Sequence, residues 1–160
     1  MHNTVYEISE KPIVKRSSTL ARLPEWFFQT VADSAVDMEA KERMDSMESL
    51  ERRFGGLCSR KDDRLTFAPD FKRAYFREGF RFFHAAAAAL AETEYDVFAG
   101  VAPSAAFELA LQGVSESYAD RFGAYVYDPD SEELSTLDNW LRSVDETKPY
   151  YLGGTVSYHA

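Results

Sequence analysis

The chain has a single cysteine, Cys58, in 160 residues. No disulfide can close within it, which excludes a stapled secreted scaffold. Histidine is scarce as well. His2, His84 and His159 are too far apart for an HxxxH pair, and there is no CxxC, so a metal site would have to be assembled by the fold from distant residues. Lysine and arginine number 18 against 27 aspartates and glutamates, a net charge of −9. A field of that sign repels polyphosphate and disfavours nucleic acid as the direct partner. No stretch is long and apolar enough to suggest a membrane span: the uncharged run Phe82–Ala91 has ten residues, six of them alanine, about half of the length needed. The opening MHNTVYEISEKPIVKR lacks an apolar segment behind a basic one. That argues against a signal peptide and, with the lone cysteine, for a cytoplasmic location.

What is present is a foldable chain. With 45% hydrophobic and 14% aromatic residues, it is too apolar for disorder and long enough for one core, read as a single domain over 1–160. Thr4–Ile8 reads as a strand. Pro24 suits the first turn of a helix over Glu25–Val36. A second helix is expected over Met38–Phe54, with Glu39 and Glu48 each four residues before an arginine, stopped by Gly55-Gly56. Leu57–Ser59 and Arg64–Phe67 suit a short hairpin. Two apolar stripes over Pro69–Glu92 predict one long helix around which others pack. Helices over Ser104–Leu111 and Ser115–Phe122 follow, then a strand at Ala124–Tyr127 and a turn at Asp128-Pro129-Asp130. A short helix over Leu137–Val144 comes next, its start marked by the capping-box spacing of Ser135 and Asp138. A last strand, Tyr150–Tyr158, is interrupted by Gly153-Gly154, the sign of a bulge or a close approach. The expected fold is α+β: a helical body around one long central helix, with a small antiparallel sheet formed by strands from both chain ends. Val5, Trp26, Phe27, Leu50, Phe71, Tyr75, Phe82, Phe83, Leu90 and Val126 are the expected core.

Chemistry is hard to find. Cys58 has basic neighbours in Arg60 and Lys61, which favour a thiolate, but a small buried apolar residue is the better reading. Ser104 sits in no nucleophile elbow, and no lysine follows Gly153-Gly154 as a phosphate loop requires. Asp128, Asp130 and Glu132 suit the first, third and fifth positions of a calcium loop. Glu133 then occupies the glycine position and Asn139 the twelfth, so a solvated turn fits better. The reading is therefore no catalytic residue, no cofactor and no metal. Two charge patterns remain. Arg73, Arg77 and Arg81 repeat at a spacing where like charges repel, which predicts either pairing with carboxylates of the same chain or, alternatively, a basic ridge for phosphate. From Glu92 to Glu146 there are thirteen acidic residues against Arg121 and Arg142, a local charge of −11.

The segments Ala74-Tyr75-Phe76-Arg77, Phe122–Tyr127 with Leu134–Asp138, and Tyr150–Gly154 with Tyr158-His159 resemble a group of uncharacterised small acidic bacterial accessory proteins associated with mobile elements. The resemblance implies a bacterial or phage source and an accessory role. By analogy it extends to anti-defence inhibitors of restriction or CRISPR systems. The expected function is thus a non-enzymatic protein-binding accessory protein acting through its acidic surface on a basic partner, such as a nucleic-acid-processing complex, with no membrane role. The contact candidates are Asp128, Asp130, Glu132, Glu133, Tyr125, Tyr127, Glu116 and Asp120. The alternatives are an enzyme or small-molecule-binding protein with its site at the sheet–helix junction, and a structural or self-associating protein.

Overall fold

The structure, a computed structural model, describes residues 2–14, 17–118 and 123–160. In chain order the elements begin with β1 (His2–Ser9), a 3-10 turn at Leu20–Arg22, α1 (Glu25–Thr30), β2 (Ser34–Asp37) and α2 (Ala40–Arg53). Next are β3 (Cys58–Lys61), β4 (Arg64–Phe67), α3 (Phe71–Tyr75), α4 (Arg77–Ala91), α5 (Tyr95–Phe98) and α6 (Ala105–Tyr118). The chain closes with β5 (Tyr125–Asp128), β6 (Glu133–Thr136), α7 (Leu137–Ser143) and β7 (Tyr150–His159). These form two compact units, one of Met1–Lys72 with Phe122–Ala160, the other of Arg73–Arg121.

The first unit is built on a seven-stranded mixed sheet in the order β3-β4-β7-β1-β5-β6, with β2 also on β7. The strands from the two chain ends do pair antiparallel at its centre, β1 with β7. The sheet is larger than expected and not wholly antiparallel, because β5 joins β1 in parallel. Strand β7 is the spine. One edge is taken by β1, while β2 covers the other edge at Val156–His159 and β4 covers it at Tyr150-Tyr151. Part of the gap between β2 and β4 is filled by a side chain. Arg43 Nε donates to Gly153 O (2.7 Å) and Nη2 to Leu152 O (3.2 Å), while Nη2 also pairs with Asp63 (2.8 Å). Buried carbonyls without strand partners thus find donors.

Alternation along the strands sorts the two faces. Val5, Tyr127, Val156 and Tyr158 meet Leu23, Phe27 and Ala32 on one face. Tyr6 points to the other, where its hydroxyl donates to Ser46 O of α2 (3.2 Å). That face carries an aromatic cluster in which Phe67 touches Phe71, Trp140 and Tyr150, and Phe54 touches Phe67 and Phe71.

Several sequence expectations need correction. The helix expected over Glu25–Val36 ends at Thr30, and Ser34–Asp37 is strand β2. The free edge of β7 recruits this segment, and a short apolar run does not reveal its period. Trp26 is therefore 43% exposed, since a six-residue helix turns only Phe27 fully inward. The helix expected over Pro69–Glu92 is divided at Phe76 into α3 and α4, and α4 runs through Gly79. Gly79 sits in a close approach of the two helices: a Cβ there would lie 3.1 Å from Ser117 O of α6. Among the described residues of the second unit α6 is the helix that packs along α4, and Phe82 and Phe83 are exposed while Leu90 is half-buried. The helices expected over Ser104–Leu111 and Ser115–Phe122 are joined through Gly113 as one, α6, up to Tyr118, and the rest of the second expectation, 119–122, lies outside the described residues. A Cβ on Gly113 would lie 3.2 Å from that of Ala86. The cap of α7 is Thr136, whose hydroxyl accepts the Asn139 N–H, rather than Ser135. Strand β6 was not anticipated at all.

Candidate functional site

The acidic turn between β5 and β6 stands beside a pocket of about 130 Å3 in the first unit. The pocket lies where the sheet meets α7. Its acidic lining is Glu10, Asp128 and Glu133, with Ser131 and Ser135 between them, and its aromatic wall is Trp140 and Tyr150. The two rings meet edge to face with centroids 5.3 Å apart, which holds both rotamers. The Tyr150 hydroxyl is fixed further, accepting the Asp145 N–H (2.9 Å) and donating to Asp145 O (3.3 Å). Burial pushes its phenol above the ordinary value, with the Asp145 backbone bond acting against that shift. The Tyr150 side of the wall therefore stays neutral.

Around this pocket the acidic residues have different occupations. Asp128 accepts the Asp130 N–H (2.8 Å), an Asx turn that shapes the loop. Asp130 is engaged internally: the Ser9 hydroxyl donates to it (2.7 Å) and the Lys11 ammonium is 3.6 Å away. Glu132 sits in the left-handed region at φ 57° and is exposed. Glu10 is 3.2 Å from Lys148, whose pKa that contact raises. Among the described residues no ion pair reaches Asp128 or Glu133. Two carboxylates and an aromatic wall converge on a small space, an arrangement suited to a cationic head group.

The other residues expected at this surface lie elsewhere. Tyr125 and Tyr127 turn to the opposite face of the sheet. Tyr125 packs on Phe27 and Tyr158, and Tyr127 is buried under the Arg22 guanidinium, 5.4 Å from its ring centre. Strand alternation dictates this, since Asp128 follows Tyr127 by one residue. Glu116 is on α6 in the second unit, and Asp120 is outside the described residues. The acidic half is thus divided between two units. Arg73, Arg77 and Arg81 are exposed, and no ion pair among the described residues involves them, contrary to the expected pairing within the chain. Glu10, Trp140 and Tyr150 were missed by sequence reasoning, and no local motif marks them.

Glu7 was missed too. This carboxylate is 1% exposed and accepts from Thr19 Oγ1 (2.8 Å), Arg22 Nη2 (2.8 Å) and Gly154 N (2.9 Å). It explains the double glycine, which is both a bulge and a close approach. Two β7 residues face Glu7 across the register shift, and a Cβ on Gly153 would be 2.6 Å from Glu7 Cδ. All three acceptor contacts are filled, so the group is structural.

Cys58 is buried at the start of β3, opposite Phe67 of β4. Burial pushes its thiol up to about 12, with Glu51 adding to the rise and Arg60 only partly opposing it. An activated nucleophile needs the reverse. A second, open cleft of about 500 Å3 lies beside α2, but its arginines are already engaged, Arg43 by Asp63 and Arg60 by Glu51. His84, exposed on α4, touches Phe80. Among the described residues no group of three His, Cys, Asp or Glu side chains is placed to hold a metal, and no helix is long and apolar enough to cross a membrane. No protein-family model, curated protein or solved structure matches the chain.

Proposed function

We propose that the chain is a non-enzymatic accessory protein that binds a basic protein partner, seating an arginine or lysine side chain in the pocket of Glu10, Asp128 and Glu133. The observation that carries this reading is the convergence of Asp128 and Glu133, which no ion pair among the described residues reaches, on a wall of Trp140 and Tyr150. A guanidinium laid against an indole gains from both the ring face and the carboxylates. The net charge of −9 would speed encounter with a basic surface. The specific form we favour is an anti-defence inhibitor of a nucleic-acid-processing complex. It would be of the kind found among bacterial mobile-element proteins, since such complexes expose the basic clefts that an acidic protein can occupy.

The pocket is also at the sheet–helix junction, which favours a second reading, a site for a small amine. Its volume, about 130 Å3, is below the roughly 300 Å3 at which ordinary small-molecule pockets begin. A side-chain head group suits it better than a whole metabolite. Calorimetric titration with a hexa-arginine peptide and with free arginine amide separates the two. The protein-partner reading expects the peptide to bind at least tenfold more tightly, and Asp128→Lys with Glu133→Lys to abolish binding while Glu132→Lys leaves most of it. Equal affinity for the peptide and the free amide would favour the small-ligand site, and binding indifferent to Asp128 and Glu133 would end the pocket proposal.

A further inference from the structure

Two carboxylates around the pocket of the first unit already hold cations of the chain itself. Lys148 Nζ lies 3.2 Å from Glu10, which lines the pocket, and Lys11 Nζ lies 3.6 Å from Asp130, in the turn beside it. The β1–β7 register brings these groups together. It sets Ser9 opposite Tyr151, so Glu10 and Lys11 leave the same end of the strand pair at which Lys148 enters it. Neither lysine is among the lining residues. Both stand at the rim, the side chain of Lys148 51% exposed and that of Lys11 78%.

Exposed pairs of this kind are individually weak, because water screens the charges and ordering two long side chains costs entropy. They can therefore exchange partners. A basic segment that places one cation between Asp128 and Glu133 meets Lys148 as a like charge while the lysine stays on Glu10. It gains more when its next basic residue takes over Glu10 and the lysine swings into solvent. Arginine is the better exchanger, since its planar fork bonds a carboxylate at two points while an ammonium is a single, strongly hydrated charge. Asp130 is a poorer seat. The Ser9 hydroxyl already donates to it at 2.7 Å, and Lys11 stands further from it than Lys148 does from Glu10. The other carboxylate acting on Lys148, Asp145, is occupied by its own turn, accepting from Thr147 N and Oγ1. Glu10 is thus the contact that keeps the ammonium at the pocket.

We infer that Lys148 is an autoinhibitory cation: it occupies Glu10 in place of a basic side chain of the partner and must be displaced before the full acidic set can bind. The inference rests on the pocket being the partner's seat. Calorimetric titration of the whole chain with the hexa-arginine peptide tests it, in about 0.1 M salt, where screening confines charge effects to about 10 Å. Lys148→Gln keeps the length of the side chain and removes its charge. It should bind the peptide about three- to fivefold more tightly than the wild type, the range of an exposed ion pair. Lys61→Gln makes the same change of net charge on β3, at the opposite edge of the sheet from β6, and should leave the affinity as it is. In a Glu10→Gln background Lys148→Gln should gain little, because nothing then holds the lysine at the pocket. An affinity unchanged or weaker in Lys148→Gln overturns the inference. So does a gain that Lys61→Gln matches, or one of the same size without Glu10. In those cases the pocket reading stands if Asp128→Lys with Glu133→Lys still abolishes binding. A peptide that binds neither the wild type nor Lys148→Gln overturns both.

Discussion

Replacing Glu7 by glutamine tests the account of how the sheet is held. The substitution keeps the shape but puts an amide where three donors converge: Thr19 Oγ1, Arg22 Nη2 and Gly154 N, all within 2.9 Å. One amide oxygen can serve at most part of this set, and the amide nitrogen faces a donor. Removing one partner of a buried pair costs about 3–5 kcal/mol. Arg22 keeps 30% of its side chain in solvent, which screens the orphaned charge, so the lower end, about 3 kcal/mol, is expected. With an m-value of about 2 kcal/mol per molar urea, the midpoint falls by about 1.5 M. Both tryptophans, Trp26 and Trp140, lie in the first unit and report on it by fluorescence. A loss below about 0.5 kcal/mol, the usual range for an unremarkable surface change, would refute the claim that Glu7 ties β1, β7 and the Leu20–Arg22 turn together.

The double glycine and the turn glycines should behave differently. In Gly154→Ala the new Cβ would fall 2.1 Å from Thr19 Oγ1, so the Glu7 site must open and stability should drop by about 3 kcal/mol or more. Gly55→Ala meets nothing within 4 Å and only the strain of φ 57°, about 1 kcal/mol; paired urea curves give the ranking. Cys58 should be inert. Its thiol is raised from 9.0 to about 12, so at pH 8 disulfide exchange with Ellman's reagent should run about a thousandfold slower in the native than in the unfolded chain. The same shift has a sign for stability. The folded-state value lies above the unfolded one, so the contribution is intact below pH 9 and is lost as pH rises toward 12. Cys58→Ala should flatten the alkaline decline relative to the wild type, and parallel curves would contradict the burial.

Local signals in the sequence carried far. The Gly55-Gly56 stop, the β3–β4 hairpin, α7 and the β1–β7 pairing are all legible from caps, turn residues and alternation. The bulge at Gly153-Gly154 was legible as a close approach, but its cause, Glu7, lies nearly the whole chain length away and leaves no local mark. Failures cluster where tertiary context decides. Ser34–Asp37 becomes a strand only because β7 offers an edge. The helix expected over Pro69–Glu92 promised a central element because phenylalanine stripes do not say whether anything covers them. For the candidate site, Asp128 and Glu133 were visible as acidic residues in a turn. Trp140 and Tyr150 were not, because the sheet–α7 junction brings them there from separate elements. The tyrosines at 125 and 127 were assigned to the acidic surface against their own alternation with Asp128.

The central claim, that a basic partner is engaged through the pocket, is tested most directly by affinity capture from the cells in which the chain is native. The bait would be the wild type beside Asp128→Lys with Glu133→Lys, in matched amounts and with matched melting curves. The account predicts a partner that is basic overall, retained by the wild type, lost from the charge-reversed bait and released by free arginine. A partner that is acidic, or that is held equally by both baits, would contradict it.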